Sequence, residues 1–259
     1  MLLRKLIYIL LLLVLFLTGC GTAQESPKKV FQQALKESKD LQSFQVNMDI
    51  QQEIQLADMN KPMPMNMTGM AKIQVKPEAL YQEMDMMGQK TKVYYVNDQF
   101  YVKPSEEDDW MKAPQEVIDQ MNQLTQAQAS PNKQLSQLEE FINDLEMEEK
   151  KDNYAFSIVA SGDKMKNYVL EKLKQNKFPE NDISEEQLQD FTIDDVKIHF
   201  EVDKETYYPQ KYSMSMNTSN NQDGETTTNT LIEANYSQFN EIENIKIPEH
   251  IKKNAKDLE

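Results

Sequence analysis

The sequence is short of the residues on which most catalytic and cofactor-binding motifs are built. Its one cysteine, Cys20, leaves no partner for a disulfide within the chain, so the fold must rest on its core. Its two histidines, His199 and His250, are far apart in the sequence and read as surface residues rather than as zinc ligands or the base of a nucleophile. Six glycines leave no glycine-rich phosphate cradle, and neither HExxH nor GxSxG occurs. The single tryptophan, Trp110, follows the acidic run Glu106-Glu107-Asp108-Asp109. That run lacks the spacing and central glycine of a calcium loop, so it reads as a solvated loop with Trp110 as a rim or core anchor. Basic charge is scarce as well: 28 Lys and Arg against 43 Asp and Glu give a net charge of −15. Such a chain does not bind nucleic acid through phosphates and is repelled by anionic headgroups. The expectation is a protein that is not an enzyme and uses no cofactor and no metal.

What is present begins at the N-terminus. Arg4 and Lys5 precede an unbroken apolar run, Leu6 to Leu17, and then Leu17-Thr18-Gly19-Cys20. A basic start, a short apolar stretch and a small residue before the cut make a secretory signal peptide. The run is too short for a membrane span of about 20 residues. The pattern resembles the bacterial lipobox, in which the cysteine is acylated and becomes the mature N-terminus. The expected division is a lipoprotein signal peptide over 1–19, a lipidated N-terminus and tether over 20–26, and a single domain over 27–259. Cys20 is the expected lipidation site, and acyl chains there would hold the protein to the cell membrane on its extracytoplasmic face.

Ser26-Pro27 predicts a helix start, with Val30, Phe31, Ala34 and Leu35 on one face. From 44 to 56 the residues alternate. Phe44, Val46, Met48, Ile50 and Ile54 share one face, while Gln45, Asn47, Asp49, Gln51 and Glu53 share the other. The pattern repeats over 65–75 and predicts further strands at 79–87, 91–97 and 99–103, with Asn97-Asp98 as a tight turn. Residues 115–128 and 132–147 read as helical, followed by a strand at 153–160 and a helix capped by Ser161. Ser184 and Gln187 form a candidate capping box. Alternation returns over Val196 to Val202, then from Tyr212 through Met216, then over Thr226 to Tyr236. Turns are expected at Asp203 to Thr206 and at Asn220 to Gly224. A long sheet with one wet side must have its apolar face covered, and the helical middle can supply the cover.

Two segments carry a further resemblance: Val202-Asp203-Lys204-Glu205-Thr206-Tyr207-Tyr208-Pro209-Gln210-Lys211, and Asn240-Glu241-Ile242-Glu243-Asn244-Ile245-Lys246-Ile247-Pro248. With the lipobox and the long alternating strands, they resemble a family of Gram-positive lipoproteins of unknown function, similar to the LolA-like superfamily that includes the mycobacterial lipoproteins LppX and LprG. The resemblance implies an α+β fold: a long curved antiparallel sheet, a LolA-like half-barrel, packed over helices. It also implies a carrier for a lipid or other apolar ligand, and it transfers no catalytic residue.

Methionine is the odd composition, 16 in all, with Met59, Met63, Met65, Met67, Met70, Met84, Met86 and Met87 crowding two neighbouring strands. Thioethers fill irregular apolar surfaces and adaptable binding sites, and they are also soft copper(I) ligands. From alternation, the expected lining of a cavity between sheet and helices is Met65, Met67, Ile73, Met84, Met86, Phe156, Phe200 and Met214. The competing reading is a structural or interaction module of the cell envelope, with a filled core, no ligand and another envelope protein as partner.

Overall fold

The structure is a computed structural model that describes residues 25–115, 117–118, 131–160, 162–167, 191–220 and 226–258. The signal peptide, Cys20, most of the helix expected over 115–128, the helix after residue 167, the Ser184–Gln187 capping box and the turn after Asn220 lie outside the described residues.

Helix α1 (Pro27–Lys39) starts as its sequence requires: the Ser26 side chain accepts a hydrogen bond from the Lys29 N–H at 3.3 Å, and Pro27 opens the first turn. Then come β1 (Ser43–Gln55), β2 (Met63–Gln74), β3 (Ala79–Met86), β4 (Gln89–Val96), β5 (Gln99–Lys103) and β6 (Met111–Lys112). Helix α2 (Pro131–Gln137) runs into a 3-10 helix (Leu138–Asp144). Strands β7 (Glu146–Glu149), β8 (Asn153–Ala160), β9 (Phe191–Asp203), β10 (Pro209–Asn220) and β11 (Thr226–Ser237) follow. A short helix α3 (Glu249–Asn254) and β12 (Lys256–Asp257) end the description. The strands form one open sheet in the order β12-β6-β5-β4-β3-β2-β1-β11-β10-β9-β8-β7, antiparallel except for the β12–β6 pair. The fold class is α+β, a long antiparallel sheet packed against helices. The helix expected over 132–147 stops earlier. Glu146 to Glu149 pair instead with β8, where Met147 sits opposite Phe156, so tertiary pairing overrides the local preference for helix.

Among the described residues the apolar face is covered at its two flanks, and between them, near the start of β1, Phe44, Val46, Ala71, Ala234 and Tyr236 are buried together. On one flank, Val30, Phe31, Ala34 and Leu35 of α1 join Leu135, Leu138 and Phe141 over β8 and β9. Phe31 meets Phe200 edge-on at 6.0 Å, and Phe200 stacks on Phe156 at 4.6 Å. On the other flank, Ala113 and Ile118 cover Val93 and Phe100. Gly162 marks a tight approach, since a Cβ there would land on the Ile193 carbonyl.

The two segments that carry the family resemblance do structural work. Asp203 Oδ1 accepts hydrogen bonds from the N–H groups of Glu205 (3.0 Å) and Thr206 (2.8 Å), which sets the β9–β10 turn. Asn240 Oδ1 accepts from the Gln42 N–H at 2.7 Å, and Gln74 binds Asn244 and the Ile245 N–H, so the C-terminal segment is laced to the start of β1 and the end of β2. From there Ile247 and Ile251 pack against Ala79, Val96 and Tyr101 on the outer face.

The outer face of β8 and β9 holds one buried carboxylate. Glu201, with a side chain 10% exposed, bonds Lys150 Nζ at 2.7 Å and Asn153 Nδ2 at 3.1 Å. The Lys150 ammonium draws the Glu201 carboxyl from 4.5 down to about 2; burial opposes this, and Asn153 and His199 reinforce it. Because the folded value is the lower one, the stabilisation is complete above 4.5 and is lost as pH falls toward 2. Glu201→Gln should therefore flatten the acid limb of a stability-versus-pH curve between those values, a change of about 2–3 kcal/mol by chemical denaturation. Phe200→Ala, which empties the centre of the aromatic stack, should cost about 3–5 kcal/mol in the same measurement at pH 7.

Candidate functional site

Between the two covered flanks the apolar face continues across β10, β11, β1, β2 and β3. Directly opposed residues of an antiparallel pair point to the same side, so the register reads this surface row by row. One row runs Ile198, Met214, Ile232, Ile50, Met67, Met86. Its neighbour toward the β1–β2 turn runs Val196, Met216, Thr230, Gln52, Met65. On the other side lie Phe200, Tyr212, Ala234, Met48, Gly69 and Met84. At the flank both Val196 and Ile198 are buried; at the centre Met214, Met216, Ile232, Ile50, Met65 and Met67 are half-buried; and at the end of the row Met86 is 50% exposed.

No inward position that this register defines on β1 to β5, β10 or β11 carries a charged residue. Asp49, Glu53, Lys72, Glu83, Asp85, Lys90, Lys92, Lys211 and Glu233 all fall on the outer side. In a chain of charge −15 this leaves a neutral floor whose polar groups are amides and hydroxyls such as Gln52, Gln82, Gln89 and Thr91.

The eight residues chosen from alternation all share this face, in three surroundings. Phe156 and Phe200 are fully buried beneath α1 and belong to the filled flank. Ile73 packs beside Phe44, and Met214 borders the covered cluster. Met65, Met67, Met84 and Met86 gather on the outer half of β2 and β3, where the Met84 side chain lies over Gly69. Ile50 and Ile232 join them in the central row; alternation in β1 named the first, and the β1–β11 pairing adds the second.

Other candidates resolve into ordinary surface. His199 lies on the outer face, its Nδ1 3.3 Å from Ser157 Oγ and its Nε2 3.5 Å from Glu201. His250 is exposed on α3. The acidic loop is tied by Lys90 to Glu106 and by Lys256 to Asp109, and Trp110 packs against Tyr94 at 5.6 Å. Among the described residues no group of three or more His, Cys, Asp or Glu could hold a metal ion, and no helix is long and apolar enough to cross a membrane. Two clefts of about 490 and 440 Å³ flank the β4–β5 turn, away from the methionine rows; residues 246–249 line the first, and Ala113, Pro114 and Ile118 line the second.

Residues 26–256 match a family described as a family of unknown function, DUF6612. No curated protein matches the chain. Among solved structures it is similar to a DUF1329 family protein from Desulfovibrio piger, at 10% identity over 82% of this chain and 92% of that one, with a TM-score of 0.25. It is also similar to a candidate outer membrane lipoprotein-sorting protein domain from Vibrio parahaemolyticus, at 10% identity over 81% and 89%, with a TM-score of 0.23. A third is a beta-barrel-like protein of the DUF1849 domain from Brucella abortus, at 6% identity over 76% and 99%, with a TM-score of 0.21. Scores of this size transfer no residue and no ligand.

The exposure gradient along the face is measurable. Under limiting hydrogen peroxide, Met87 (75% exposed), Met86 (50%), Met63 (44%) and Met59 (41%) should form sulfoxide before the buried Met165 (7%). Peptide mapping by mass spectrometry gives the order, and early oxidation of Met165 would contradict the packing described above.

Proposed function

The chain belongs to the DUF6612 family of unknown function, and from that premise we propose that it is a non-catalytic, membrane-anchored extracytoplasmic protein that holds a lipid or other apolar ligand against the centre of its sheet. The observation that carries this reading is the uncharged floor of Ile and Met side chains between two covered flanks. Burying such a surface against an acyl chain gains roughly 25 cal/mol per Å² before the costs of association. Methionine suits a site that must follow a flexible chain, because its unbranched thioether adapts to irregular shapes. Acylation at Cys20, expected from Leu17-Thr18-Gly19-Cys20, would hold the protein at the cell membrane.

A second reading, an envelope interaction module with a filled core and no ligand, draws support from Phe156 and Phe200, which leave no space beneath α1. Native mass spectrometry of the purified chain, followed by organic extraction, separates the two. A co-purifying lipid of defined mass is the expected result. A clean mass with no uptake of offered fatty acids or phospholipids would overturn the ligand reading and favour the interaction module. Met65→Asp and Met214→Asp place charge on the floor and should each abolish uptake in a folded protein; unchanged uptake in both would remove these residues from the site.

A further inference from the structure

The outer half of β2 and β3 is not merely apolar. Its inward positions are Met63, Met65 and Met67 on one strand and Met84 and Met86 on the other, without a leucine, isoleucine or valine among them. The flank under α1 meets the same need with Phe156, Ile158, Val196 and Ile198. A surface selected for greasiness alone would not change side-chain chemistry so sharply. What methionine adds is a soft sulfur donor.

We propose that Met65, Met67 and Met86 form a thioether site for a soft monovalent metal ion of the copper(I) class. Met67 and Met86 are directly opposed, so their Cα atoms are about 5 Å apart. Met65 lies two residues before Met67 on the same side of β2, about 7 Å away. A methionine side chain has three rotatable bonds, so three sulfurs at these spacings can converge on one ion. Access is open from the turn side: the β3–β4 turn places Gly88 beside Met86, at φ +89, and a side chain there would meet nothing within 4 Å. Met86 itself is 50% exposed. Among the described residues no cation competes on this face, because Lys90 lies opposite Asp85 on the outer side and binds Glu106, and the inward neighbours are Ile50, Gln52 and Gln89. The net charge of −15 favours a cation's approach. Sulfur donors without thiolate or carboxylate select a soft, singly charged ion over Zn²⁺, Mg²⁺ or Ca²⁺.

The proposal is independent of the apolar-ligand reading, although both use the same face. The test is titration of the full chain, labelled at its methionine methyl groups, with silver(I), which is redox-inert, and then with copper(I) under anaerobic conditions. One equivalent should shift the methyl signals of Met65, Met67 and Met86 in a saturable way and leave Met147 and Met165 unmoved. The triple variant Met65→Leu/Met67→Leu/Met86→Leu conserves volume and apolarity. It should keep the native thermal transition and bind silver(I) at least a hundredfold more weakly. Unchanged silver(I) affinity in the folded triple variant would overturn the site, as would shifts spread evenly over all the methionines. Saturable metal binding by the unaltered chain that takes up no apolar ligand would support this site and overturn the apolar-ligand reading alone.

Discussion

A thirteen-residue strand with nearly every second side chain apolar commits one whole face to leaving water, and β1 and β9 both do this. The rest of the molecule answers that commitment. Helices α1 and α2 and the 3-10 helix lie over β8 and β9; Ala113 and Ile118 close the opposite flank; the C-terminal segment seals the outer side of β3 to β5. The cover is uneven. Where it is deep, the face carries Phe, Ile and Val in fixed stacks; where it thins, methionine takes over. Rigid and adaptable chemistry are thus sorted along the rows of one sheet, and the functional proposals concern the adaptable end.

The identity of that face was legible in the sequence. A period of two is a local signal, and it placed Met65, Met67, Ile73, Met84, Met86, Phe156, Phe200 and Met214 on one side without any knowledge of pairing. What it could not supply is depth. Phe200 and Met86 obey the same alternation, yet one is fully buried and the other half-exposed, because the difference is set by a helix more than 150 residues away from Phe200 in the chain. Strand order was hidden for a similar reason. The β1–β11 pairing that joins the two halves of the sheet depends on matching faces, and several strands here offer equivalent ones. Strand β7 was hidden more thoroughly, since Glu146 to Glu149 have strong helix formers around them and become a strand through their pairing with β8.

The segments that looked most distinctive have a plain role. Asp203 and Asn240 are turn and lacing residues whose carboxylate and amide satisfy backbone donors at the bases of the long strands. A motif that marks a family can mark how its sheet is tied together rather than what the sheet does. The proposed chemistry lies instead in a biased composition with no fixed motif, a run of thioethers whose arrangement becomes visible once β2 and β3 are placed side by side.

Glu25 accepts a hydrogen bond from Tyr207, so the chain enters the domain beside the β9–β10 turn, at the end where Asn240 also joins Ser43 to Tyr208. Met59, Met63, Met86 and Met87 cluster at the opposite end of the strands. The thirteen residues of β1 separate these two poles by about 40 Å. Anything attached ahead of Glu25 therefore grips the domain by its heel, and the sulfur-rich toe projects the full length of the sheet away from the point of attachment. The pole where the chain enters and the pole that carries the thioethers are thus held apart by the full length of one strand.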